Sequence, residues 1–164
     1  MKTLYLLRHA KSSWSFDDLS DQERPLNARG RDDAPVMGQA LAKRNISPDL
    51  VVSSPAVRAL STAVLVAREM KYPHEKIMVE PGIYGTDVDG LLAVIHGLPN
   101  AAATVLLVGH NPTITETANA LSPSSLNEMP TAAVVCLRFE CESWADVGKA
   151  NAEFYFYDYP RNAG

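Results

Sequence analysis

Short, uninterrupted apolar runs separated by stretches of helical period constrain this chain more than any other feature. Leu4 to Leu7, Leu50 to Ser53 and Thr104 to Val108 are too short for helices and apolar on both faces, the pattern of central strands. Asn27 to Arg44 carries Val36, Met37, Ala40 and Leu41 at helical spacing. That helix starts near Asp32 or Asp33 with Pro35 in its first turn, or at Asn27 with a kink at Pro35. Ser54 and Pro55 predict a second helix, Ser54 as cap and Pro55 as first helical residue, with Val57, Leu60, Val64 and Ala67 as its apolar stripe. Asp87 to His96 places Val88, Leu91, Leu92 and Ile95 in phase. Asn111 and Pro112 predict a further capped start, running to about Leu121. Lys76 to Val79 reads as a third strand, and Ala132 to Phe139 with Glu153 to Tyr159 as a late hairpin or edge pair. Strand and helix alternate and then two strands follow. This order predicts an α/β three-layer sandwich, with a mostly parallel central sheet and helices on both faces. The 164 residues fit a single domain spanning 1–164.

Charge and cysteine content narrow the function. A net charge of −4 disfavours nucleic acid or an anionic membrane as a partner, since both call for a basic face. The two cysteines, Cys136 and Cys141, form neither a disulfide framework nor a zinc-binding pair. Thiols of this kind fit a cytoplasmic protein. The apolar run at the start is too short for a signal-peptide core and ends in Arg8 and His9, and no stretch approaches the ~20 apolar residues of a membrane span.

In mostly parallel sheets, ligands bind beyond the carboxyl ends of the strands. The first run ends in Arg8 and His9, the second leads to Arg58, and the Thr104 run ends in Gly109 and His110. If these strands are parallel neighbours, two guanidiniums and two imidazoles meet at one sheet edge beside two helix N-termini. Such a site suits a dianion, and a phosphoryl group best of all.

The segments carrying these side chains resemble a known family. Leu6-Leu7-Arg8-His9-Ala10-Lys11-Ser12-Ser13-Trp14 resembles the Arg-His-Gly signature of the histidine phosphatase superfamily, which includes the cofactor-dependent phosphoglycerate mutases. In its Arg-His-Ala-Lys form it is most similar to the short, SixA-like phosphohistidine phosphatases. Arg24-Pro25-Leu26-Asn27-Ala28-Arg29-Gly30, Ser53-Ser54-Pro55-Ala56-Val57-Arg58-Ala59 and Val108-Gly109-His110-Asn111-Pro112 resemble later motifs, in the family's order.

The resemblance implies a phosphoglycerate mutase-like fold and a phosphatase with His9 as nucleophile. Arg8, Arg58 and His110 would bind the phosphoryl oxygens, with Ser15 standing where the mutases have a phosphate-binding asparagine. It implies a phospho-His9 intermediate, no cofactor and no metal. The acid of the larger enzymes has no clean counterpart. Glu80 falls one residue early when Tyr84-Gly85 is the anchor, and Asp18 and Asp21 are further candidates. A site without a strong acid, and without a long insertion between Arg58 and His110 to build a lid, favours phosphohistidine on a partner protein, whose imidazole leaves easily. A phosphatase of small phosphate esters or metabolites is the second reading, and a non-catalytic phosphate-binding module the third. His74 and His96 read as surface residues.

Overall fold

A computed structural model gives the fold and describes residues 1–123 and 125–163. Strands β1 (Lys2–Arg8), β2 (Leu50–Ser53), β3 (Met78–Val79), β4 (Thr104–Gly109), β5 (Val134–Phe139) and β6 (Ala152–Asp158) form one sheet in the order β3-β2-β4-β1-β5-β6. The first four of that order run parallel, and β5 and β6 are antiparallel additions beside β1. Helices α1 (Ala28–Lys43) and α2 (Val57–Glu69) cover one face, and α3 (Val88–His96) and α4 (Thr113–Leu121) the other. The architecture is the α/β sandwich expected from the order of the segments.

Strand alternation builds the two cores. Leu4, Leu6, Val105, Leu107, Val135 and Leu137 point to α3 and α4. Tyr5, Leu7, Leu106, Val108, Val134 and Cys136 point to α1 and α2. Because β1 and β4 are apolar on both sides, they take the middle of the sheet. Among the described residues no helix is long and apolar enough to cross a membrane.

Two helix starts decide how the loops reach the sheet edge. The earlier of the two expected starts holds for α1. Asn27 caps it by accepting from Gly30 N at 2.9 Å, and Pro35 lies inside the helix. Gly30 is required for close approach, since a Cβ there would lie 2.1 Å from Lys11 O. The first turn of α1 therefore presses on the main chain that follows His9.

For α2 the expectation is corrected. The helix begins at Val57 with Ala56 as cap residue, because the Ser54 hydroxyl is engaged elsewhere, with Ala56 N and His110. The expected stripe is corrected as well. Its buried residues include Ala59, Ala63, Val66 and Ala67, while Val57, Leu60 and Val64 line a surface groove with Pro25 and Leu26. Small inward residues let α1 approach closely: a Cβ on Gly38 would lie 2.9 Å from Val66 O.

Candidate active site

The parallel strands end level with one another. Arg8 pairs with Gly109 and Ser53 with Val108, so Arg8, His9 and His110 leave neighbouring strands at one edge. Arg58, in the first turn of α2, reaches the same place. Arg8, His9, Arg58, Lys11, Ser12, Trp14, Arg24 and Thr131 line a cleft of about 170 Å³.

His9 is held from behind. Its Nδ1 lies 2.7 Å from Ala10 O. A carbonyl only accepts, so Nδ1 carries the proton and Nε2 keeps its lone pair. Ala10 is itself anchored: its N–H donates to Thr62 Oγ1 at 2.9 Å, and that hydroxyl donates to Arg58 O at 2.7 Å. Burial pushes the His9 pKa down to about 3, with His110, Arg58 and Arg8 adding to the fall. The imidazole is thus neutral at physiological pH.

His110 is held from its other end. Its Nε2 lies 2.7 Å from Ser54 Oγ, which also accepts from Ala56 N at 3.2 Å. With the Ser54 hydroxyl donating to Nε2, the proton lies on Nδ1. That Nδ1 is buried without a partner, as is Arg8 Nε. Buried donors left open beside a cleft are costly unless something accepts from them. Burial, followed by Arg58, lowers the His110 pKa to about 4. His9 and His110 sit with ring centroids 5.2 Å apart.

The arginines are fixed individually. Arg8 Nη1 donates to Met129 O at 2.8 Å, and Asn111 Nδ2 donates to the same carbonyl at 2.9 Å. Arg58 donates to Asp21 through both terminal nitrogens, Nη1 to the main-chain O at 2.6 Å and Nη2 to Oδ2 at 3.0 Å. Arg24 donates to Ser13 O at 3.1 Å, to Asp21 Oδ1 at 2.9 Å and to Ser12 Oγ. It stacks on Trp14, 3.4 Å from the ring centroid.

Arg8, His9, Arg58 and His110 therefore meet, as the strand ends required. Ser15 lies exposed on the loop, its N–H on Ser13 Oγ, and Ser12 is the serine in the cleft wall. Glu80 caps a short turn by accepting from Gly82 N at 2.9 Å. No hydrogen bond or ion pair among the described residues joins it to His9, Arg8, Arg58 or His110. Tyr84 OH donates to Asp21 Oδ2 at 2.6 Å, and that bond, ahead of those from Arg58 and Arg24, holds the Asp21 carboxyl down at about 2. Sequence reasoning gives no role to Thr62, Tyr84, Met129 or Thr131. Met129 acts through a main-chain carbonyl, which leaves no trace in residue type. Arg24 opens the Arg24–Gly30 segment, and its residue type is the available signal. Among the described residues no group of three or more His, Cys, Asp or Glu side chains is placed to hold a metal ion.

Residues 4–83 match the model of the histidine phosphatase superfamily, branch 1. The protein histidine phosphatase SixA, solved with tungstate, superposes with a TM-score of 0.82 at 23% identity, over 99% of each chain. A Nakamurella multipartitia protein, provisionally assigned as a phosphohistidine phosphatase SixA, gives 0.78 at 30% identity, over 97% of this chain and 96% of its own. An uncharacterised chloroplast protein of Arabidopsis thaliana is 29% identical over 154 residues, 88% of this chain and 70% of the relative.

Proposed function

This chain belongs to the histidine phosphatase superfamily and is a phosphatase, and we propose that it works through a phosphohistidine on His9, taking the phosphoryl group from phosphohistidine on a partner protein. The observation that carries the proposal is the pairing of a neutral His9, its Nε2 lone pair free, with two buried nitrogens that have no partner, Arg8 Nε and His110 Nδ1.

His9 Nε2 attacks phosphorus while Arg8, Arg58 and His110 take up the charge on the non-bridging oxygens. The P–N bond to the substrate imidazole breaks, and its electron pair stays on that nitrogen. An imidazole protonated on its other nitrogen leaves as the neutral ring, so the protein need supply no proton. Water then hydrolyses phospho-His9. No metal takes part in this scheme, because guanidiniums and an imidazole N–H supply the stabilising charge.

Two features support phosphohistidine over an ester. An alkoxide leaving group needs a proton, yet Asp21, the carboxylate tied to the site's arginines, is held ionised. The cleft is small, and Trp14 at its wall is 75% exposed, which suits a side chain presented by another protein. The free thiols Cys136 and Cys141 support a reducing compartment, and we place the protein in the cytoplasm.

The test is a parallel assay of phosphohistidine-bearing proteins and small phosphate esters, with an alkaline denaturing quench for labelled enzyme. The proposal expects preference for the phosphohistidine proteins and acid-labile, base-stable label that His9→Ala abolishes. Efficient ester cleavage with phosphohistidine proteins untouched would reverse the substrate assignment.

A further inference from the structure

We propose that Asp21 is a positioning residue, a single carboxylate that holds Arg58 and Arg24 where they grip a phosphoryl group. The proposal rests on the phosphatase function above and adds a residue to its machinery.

The geometry is that of a clamp. Asp21 Oδ2 accepts from Arg58 Nη2 at 3.0 Å and from Tyr84 OH at 2.6 Å, Oδ1 accepts from Arg24 Nη1 at 2.9 Å, and the main-chain O accepts from Arg58 Nη1 at 2.6 Å. One residue thus brackets both ends of the Arg58 fork. A guanidinium has five N–H donors, and these contacts use two of them, so donors remain for substrate. Arg24 is itself fixed to the main chain at Ser13 and stacked on Trp14. Asp21 passes that rigidity across to Arg58, from the first loop to α2.

Charge points the same way. Arg8, Arg24 and Arg58 all line one small cleft, and like charges at that range repel. Among the described residues, Asp21 is the carboxylate ion-paired to both Arg24 and Arg58. Tyr84 extends the clamp to the imidazole, its ring edge-on to His110 at 5.6 Å between centroids. With its carboxyl held near 2, Asp21 has no proton to give at neutral pH, which separates this role from that of an acid.

The experiment measures inorganic phosphate binding by NMR of the histidine Cε1–H signals, over a wide phosphate range, together with kcat and KM and thermal melting. The set is wild type, D21N, Y84F, R58A and D21N/R58A. D21N leaves the main-chain bond to Arg58 intact and so tests the carboxylate. Loss of charge-assisted bonds predicts about ten-fold weaker phosphate binding in D21N and about three-fold in Y84F, carried by KM more than kcat. In the R58A background D21N should weaken binding clearly less than in wild type, because only the part of its effect that runs through Arg24 remains. A merely structural role would lower the melting temperature and leave the D21N effect undiminished in R58A. That result overturns the proposal, as does tighter phosphate binding in D21N, which would make Asp21 a competitor of substrate. A wild-type protein that binds phosphate but shows neither turnover nor label would count against the phosphatase function alone. One that binds no phosphate would overturn both.

Discussion

His9 and His110 lie 5.2 Å apart, centroid to centroid, and are anchored from opposite ends. His9 is fastened through Nδ1 to a carbonyl, so the nitrogen left open is Nε2, with a lone pair. His110 is fastened through Nε2 to a hydroxyl, so the nitrogen left open is Nδ1, which carries the proton when that hydroxyl donates. Both rings are then the same tautomer. The choice of anchor makes one suited to attack phosphorus and the other to donate to its oxygens. Identity of side chain does not assign the role; the atom behind the ring does.

Substitution at the two open nitrogens breaks the comparison most severely. His9→Asn should abolish label and cut kcat/KM by about 10⁴-fold, as expected for removal of a nucleophile. His110→Asn, whose amide still offers a donor, should lose only about 10²-fold in single-turnover rate, the scale of one weakened transition-state donor. Equal losses would mean the two rings share one task.

The anchors come next. Ser54→Ala frees His110 and should cost about ten-fold in kcat/KM, the scale of one buried hydrogen bond. Thr62→Val unties Ala10, whose carbonyl orients His9, and should cost about three-fold, the effect falling on kcat because His9 is not a binding contact.

The smallest expected effect is that of mild acid. Folded pKa values of about 3 for His9 and about 4 for His110 lie below the unfolded value near 6.5. Below that value the unfolded chain binds more protons. Stability from these two groups is therefore full above about pH 6.5 and declines as pH falls through the folded values. Activity should not fall from neutral pH to about pH 5, measured as kcat/KM with a donor stable over that range. An acid limb centred near 6.5 would contradict the burial-driven neutrality of both rings.

Much of this was legible in the sequence, for a physical reason. Central parallel strands are buried on both faces and so write unbroken apolar runs, and functional side chains follow their carboxyl ends. That made Arg8, His9 and His110 visible together. The α2 helix misled because it buries alanines against α1 and turns Val57, Leu60 and Val64 to a groove; apolar size alone points the wrong way there. Its start misled because the Ser54 hydroxyl bonds His110, a partner distant in sequence. Met129 was out of reach, since a carbonyl accepting from both Arg8 and Asn111 is the same atom in any residue. Asp21 was visible as a candidate acid beside Asp18, and not as a partner of arginines, because Arg58 and Tyr84 are far along the chain.

The most direct measurement is the tautomer of the two rings, by ¹⁵N NMR of histidine-labelled protein at neutral pH. The account predicts the proton on Nδ1 in both His9 and His110, with Nε2 of His9 unprotonated and, after trapping, bonded to phosphorus. A proton on Nε2 of His9, or phosphorus found on Nδ1 or on His110, would contradict it.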